Sequence, residues 1–113
     1  MTDITETLAG FAADLSYDRL PAEVTERAKL LMLDTVGIIV RARHDAESTP
    51  PMVRAVARMG LRGDCTVFGD AARYAPPAAA LLNGALAHSL DFDDTHAAGS
   101  IHSSAPIFPA AFA

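Results

Sequence analysis

Three of the four histidines and three carboxylates fall between His88 and His102, in the run His88-Ser89-Leu90-Asp91-Phe92-Asp93-Asp94-Thr95-His96 followed by Gly99-Ser100-Ile101-His102-Ser103-Ser104. Imidazoles beside carboxylates can take up and return protons near neutral pH, because the ordinary histidine pKa lies there and neighbouring charge moves it. If a helix runs through this segment, His88, Asp91 and Thr95 stand at i, i+3 and i+7 with Asp94 beside them. One face then carries an imidazole, carboxylates and a hydroxyl, while Asp93 points elsewhere. A plainer reading stays open: Asp93, Asp94 and Thr95 cap and solvate a junction between helix and loop, as such residues do near turns.

His102 sits just before an expected helix start, where free N–H groups and the positive end of the helix dipole favour an anion and disfavour imidazolium. A neutral imidazole beside a carboxylate-binding pocket is placed to act as a general base. The alternative is a partly buried loop histidine making one hydrogen bond. His88, Asp91, Asp94, His96 and His102 also offer nitrogen and oxygen ligands for a cation. No His-x-x-x-His or Cys pair fixes a ligand fork, however, and the reading adopted is no metal and no cofactor. His44 reads as a surface residue of a polar loop, and Cys65, with no histidine near it in sequence, as an inert thiol. The chain carries neither a P-loop nor a dinucleotide fingerprint.

The elements that must position these residues are helical. Thr2 or Asp3 can cap a first helix bearing Ile4, Leu8, Phe11 and Leu15 on one face. After a polar break at Ser16 to Arg19, Pro21 with Glu23 and Glu26 starts a second helix. Val24, Ala28, Leu31, Thr35 and Ile38 should give it a buried stripe and carry it to about Val40. Ser48 or Thr49 before Pro50-Pro51 opens a third, with Met52, Val53, Val56, Ala57 and Met59 apolar and Gly60 as its stop. Cys65 to Gly69 reads as an extended connector rather than a sheet strand. From Pro76-Pro77, the positions Ala78, Leu81, Leu82, Ala85, Leu86 and Ser89 define a helix of small residues suited to close packing, at a cost of ~1 kcal/mol for Gly84 in its interior. Ser103-Ser104 and Pro106 mark the cap and first turn of a last helix. Its apolar run Ile107 to Ala113 shows no closing cap, which reads as a truncated element.

A chain of 113 residues, half of them apolar and with few aromatics, can bury one modest core and shows no internal boundary or repeat. Its formal net charge is −5, and its basic residues, Lys29 and scattered arginines, form no stripe, which argues against nucleic acid as a partner. The single cysteine excludes an internal disulfide framework. A polar, acidic start without signal-peptide character points to the cytoplasm. The longest strongly apolar run, Val36 to Val40, is far short of the ~20 residues a membrane span needs, so no membrane association is expected.

The stretch Ala79-Ala80-Leu81-Leu82-Asn83-Gly84-Ala85-Leu86-Ala87-His88-Ser89-Leu90-Asp91-Phe92-Asp93-Asp94-Thr95, with a histidine at 102, resembles the MmgE/PrpD family. Its members include 2-methylcitrate dehydratase, cis-aconitate decarboxylase and iminodisuccinate epimerase. Arg27-Ala28-Lys29, Asp34-Thr35-Val36-Gly37 and Val67-Phe68-Gly69 are similar too, so the resemblance covers essentially the whole chain. It implies an all-α fold, the N-terminal part of the family's helical domain, with a second α/β domain beyond these 113 residues. It also implies catalytic roles for His102, Asp91 and Thr95, with His88, Asp94, Asn83 and Ser103 supporting the pocket. Many relatives have Pro where Ser103 stands, which bears on the subfamily more than on the site.

The chemistry implied is cofactor-free proton removal next to a carboxylate of a small di- or tricarboxylic acid, in an enzyme that is a homodimer at full length. With one lysine far upstream to meet developing negative charge, this chain is expected to be inactive alone. A helical module that only binds or dimerises is the competing expectation.

Overall fold

The computed structural model describes residues 3–113. The Asp3 carboxylate accepts a hydrogen bond from the Thr5 N–H at 2.9 Å and caps α1 (Ile4–Asp14). Thr2, the other candidate cap, lies outside the described residues. The apolar stripe of α1 meets nothing: Ile4, Leu8, Phe11 and Leu15 are all exposed. A short 3₁₀ turn at Tyr17–Arg19 leads to Pro21, which stands immediately before α2 (Ala22–Asp45).

Helix α2 runs five residues past the expected end at Val40, because Ala42 packs fully into the core and the helical ladder continues through Asp45. Its expected stripe is buried only in part. Thr35 and Ile38 are buried together with Ile39 and Ala42, whereas Val24 is exposed. All four buried residues lie in its C-terminal half, the half that meets the core formed with α4 (Pro76–His88) and α5 (Ser104–Phe112). Helix α3 (Thr49–Arg58) follows Ser48 and ends before Gly60, which takes φ +67°. Val56 is its buried apolar anchor, and the buried Thr49 hydroxyl donates to the Ala42 carbonyl at 2.8 Å, tying α3 to α2.

The extended connector is in part a sheet strand, which corrects the sequence expectation. β1 (Arg62–Thr66) pairs antiparallel with β2 (Arg73–Tyr74), with an irregularity in register between Arg62 and Cys65. Its partner spans two residues, too short to show any alternation of its own. The loop between them is pinned to α2 by Asp70. That carboxylate accepts from Arg43 Nε and Nη2 at 3.2 and 3.1 Å and from the Tyr74 hydroxyl at 3.1 Å. Burial raises the pKa of Asp70, but hydrogen bonds from the Ala72 N–H, Tyr74 and Arg43 outweigh it and leave the carboxyl below its usual range. Gly69 (φ +81°) permits the close approach: a Cβ there would stand 3.2 Å from Arg43 Cβ and Cγ.

Ile39, Val67, Leu82 and Leu86 are the large apolar side chains at the centre of the core, each worth about 1.5–3 kcal/mol on burial. The fold is thus mostly helical with one two-stranded sheet. No helix among the described residues is long and apolar enough to cross a membrane.

Candidate active site

Helix α4 ends at His88, and the chain turns at once instead of extending the helix. Ser89 and Leu90 form the turn, the Asp91 N–H donates to the His88 carbonyl at 3.1 Å, and Asp91 takes the left-handed conformation at φ +56°. Aspartate tolerates that region better than most residues, and a run of three Asp within four positions is turn chemistry rather than helix chemistry. The face expected from His88, Asp91 and Thr95 at helical spacing therefore does not form.

What the turn brings back to His88 is Asp93. Its side chain is wholly buried, with 0% exposure, and receives His88 Nδ1 at 2.9 Å to Oδ1 and 3.1 Å to Oδ2. Beyond it the chain reverses through a 3₁₀ turn at Ala97–Gly99 and the left-handed Ser100, closed by a bridge between His96 and Ile101. His96 serves this reversal, its Nδ1 accepting from the Gly99 N–H at 3.0 Å. The reversal returns His102 to the same carboxylate, with Nδ1 3.4 Å from Asp93 Oδ2. The two imidazoles meet edge to face, their centroids 4.8 Å apart at 65°. His102 Nδ1 is itself buried and has no hydrogen-bond partner, its contact with Asp93 lacking hydrogen-bond geometry.

Asp94 performs the capping expected of Ser103. Its Oδ1 accepts from the Ser104 N–H, the first of α5, at 2.9 Å, whereas Ser103 makes no side-chain cap bond. Thus Asp93 and Asp94 divide the two readings of the segment between them: one faces the imidazoles, the other caps a helix.

His88 and His102 stand at one end of an open groove of about 550 Å³ between α4 and α5, walled by Ala80, Leu81, Gly84, Ala85, Ala105 and Pro106. Small residues make this groove. A Cβ on Gly84 would lie 3.4 Å from the Ala105 carbonyl oxygen, which the missing N–H of Pro109 leaves without its usual helical donor. None of the lining residues is a lysine or arginine.

Asn83 faces the other way. It is fully buried, donates to the Thr66 carbonyl at 2.9 Å and accepts from the Phe68 N–H at 3.0 Å, so it fastens the end of β1 to α4 instead of lining the groove. Asp91 and Thr95 are exposed. Asp91 remains near the imidazoles: His88, Asp91, Asp93 and His102 each offer an atom within 4.8 Å of the others, a set able to receive a small cation.

The hydrogen bond to Asp93, reinforced by the charges of Asp93 and Asp91, holds the His88 pKa above its ordinary 6.5. His88 can therefore carry a proton near neutrality while its ring stays within reach of the groove. Sequence reasoning placed Asp93 off the site. The signal that would have found it is the turn preference of Asp91 directly after the helix.

The family model of the MmgE/PrpD N-terminal domain matches residues 6–113. The chain is 34% identical over 111 residues to a cis-aconitate decarboxylase-like protein of Aspergillus oryzae, covering 98% of this chain and 23% of that protein. It is 33% identical over 111 residues to the cis-aconitate decarboxylase of Aspergillus terreus, covering 97% and 22%. With that of Mus musculus it shares 30% over 96 residues, covering 84% and 20%. The chain thus spans roughly a fifth of the length of the curated relatives it matches. No solved structure matches it. The match along nearly the whole chain leads to one assignment: this chain belongs to the MmgE/PrpD family, as an N-terminal helical domain.

Proposed function

We propose that this domain supplies the proton-handling part of a lyase or isomerase that acts, without a cofactor, on a small di- or tricarboxylic acid. The observation that carries this reading is the pair of imidazoles converging on one buried carboxylate at the end of a groove. His102, whose ring lines the groove, is the candidate base that removes a proton from the carbon next to a carboxylate. Asp91 and Thr95, exposed on the same loop, are candidates to hold the substrate once it fills the groove. Developing negative charge needs cations, and the groove walls contain no lysine or arginine, so further cations beyond a protonated His88 would come from elsewhere in a protein of the relatives' length. The relatives named as cis-aconitate decarboxylases favour a tricarboxylic substrate.

The test uses the protein extended to its relatives' length, incubated in deuterated water with a chelator and 2-methylcitrate, cis-aconitate or iminodisuccinate. At least one acid should exchange hydrogen or turn over, and His102→Gln should lower that rate by about 10²–10⁴, the usual contribution of a positioned acid or base. His44→Gln, on the surface, should leave it unchanged. A protein inert toward all three acids, or one that ignores His102→Gln, would sink the reading. The competing idea of a purely docking module, which draws on the exposed stripe of α1, is what an inert protein would leave standing.

A further inference from the structure

We propose that Asp93 is a positioning residue that turns both imidazoles the same way, and that His88 is the second acid/base group of the site, giving a proton where His102 takes one. This rests on the reading of the groove as an active site, and adds to it the second proton carrier and the residue that orients both.

The geometry requires a shared orientation. His88 Nδ1 lies 2.9 and 3.1 Å from the two oxygens of Asp93, and His102 Nδ1 lies 3.4 Å from Oδ2. The Asp93 side chain has 0% exposure, and His102 Nδ1 is buried beside it without a hydrogen-bond partner. A buried carboxylate favours donors beside it, so His88 presents Nδ1–H to it, and the buried His102 Nδ1, 3.4 Å away, is better occupied by a proton than by a lone pair. A neutral imidazole with its proton on Nδ1 has a bare lone pair on Nε2. Both rings line the groove, so two Nε2 atoms, one per ring, are left for a molecule within it.

The two histidines differ in how tightly Asp93 holds them. His88 makes two hydrogen bonds to Asp93, which favour its doubly protonated form, whereas His102 makes none and is assigned the role of base. For a hydroxy acid the step balances. His102 Nε2 takes the proton from carbon, the C–H electron pair becomes the new C=C bond, and the C–O bond breaks. His88 Nε2–H protonates the departing oxygen, so water leaves. His102 ends as imidazolium and His88 as neutral imidazole, and one proton returned through solvent resets the pair.

The first readout is the imidazole ¹H–¹⁵N correlation spectrum of this chain, which distinguishes Nδ1–H from Nε2–H tautomers. His102 should carry its neutral-form proton on Nδ1, and Asp93→Asn should shift it toward Nε2 while the surface His44 stays unchanged. If Asp93→Asn does not fold, the wild-type tautomer still decides: a His102 proton resident on Nε2 overturns the proposal. The second readout uses the protein at its relatives' length. His88→Gln should keep hydrogen exchange at carbon, which needs only the base, and lose product formation by tenfold or more. Unchanged product formation in His88→Gln overturns the role of His88 and leaves that of His102 intact. Absence of exchange in the wild type removes the underlying active-site reading and this proposal with it.

Discussion

One buried carboxylate stands 2.9 Å from His88 Nδ1 and 3.4 Å from His102 Nδ1. His88 has the closer contact with Asp93, and its raised pKa has a consequence for stability as well as for chemistry. The folded state binds the proton more tightly than the unfolded chain. The contribution is therefore complete below the ordinary value of 6.5 and is lost as pH rises through the raised one. Urea unfolding between pH 6 and 9 should show stability falling across that window in the wild type, with a flatter profile in His88→Gln. Equal slopes in the two proteins would mean that the His88–Asp93 contact is not kept in solution. The Asp70 carboxyl, held low by Arg43 and Tyr74, acts in the opposite sense: its contribution is present above the ordinary 3.8 and is lost as pH falls through the lowered value.

Most of the elements were legible because their signals are local. Asp3, Pro21, Ser48 and Pro76 each stand at or beside a helix start, and Gly60 stops α3 with a positive φ. Two things were not legible. β2 has only two residues and no pattern apart from its pairing with β1. The end of α4 was hidden because His88, Asp91 and Thr95 happen to fit helical spacing, while the competing turn preference of Asp91 decides the outcome. Periodicity reports what a helix would align; it does not say that the helix continues.

Burial was equally hidden, since α1 and α4 both read as helices with an apolar face but only α4 is buried along it. Leu82→Ala, in a site with 1% exposure, should cost about 2–5 kcal/mol in equilibrium unfolding. Leu8→Ala, at 63% exposure, should cost within about 0.5 kcal/mol. A large loss for Leu8→Ala would show that α1 folds back onto the body of the chain.

At the scale of the molecule, the chain is elongated, 48 × 27 × 26 Å, with the groove between α4 and α5. Family membership was readable from the run Ala79 to Thr95 and the histidine at 102, and the matched domain bears it out. The site within it was readable in composition but not in assignment: the same segment holds Asp93 against the imidazoles and Asp94 at the cap of α5, a division that appears only once the chain has turned. The central claim is that Asp93 acts through His102 and not as an independent part of the scaffold. A double-mutant cycle in kcat/KM on the protein at its relatives' length, using Asp93→Asn, His102→Gln and the pair, tests this most directly. The prediction is a loss of about tenfold or more for Asp93→Asn in the wild type and a clearly smaller further loss once His102 is gone, the remainder acting through His88. Losses that simply multiply would contradict it, and would return Asp93 to the role of a buried residue that only supports the fold.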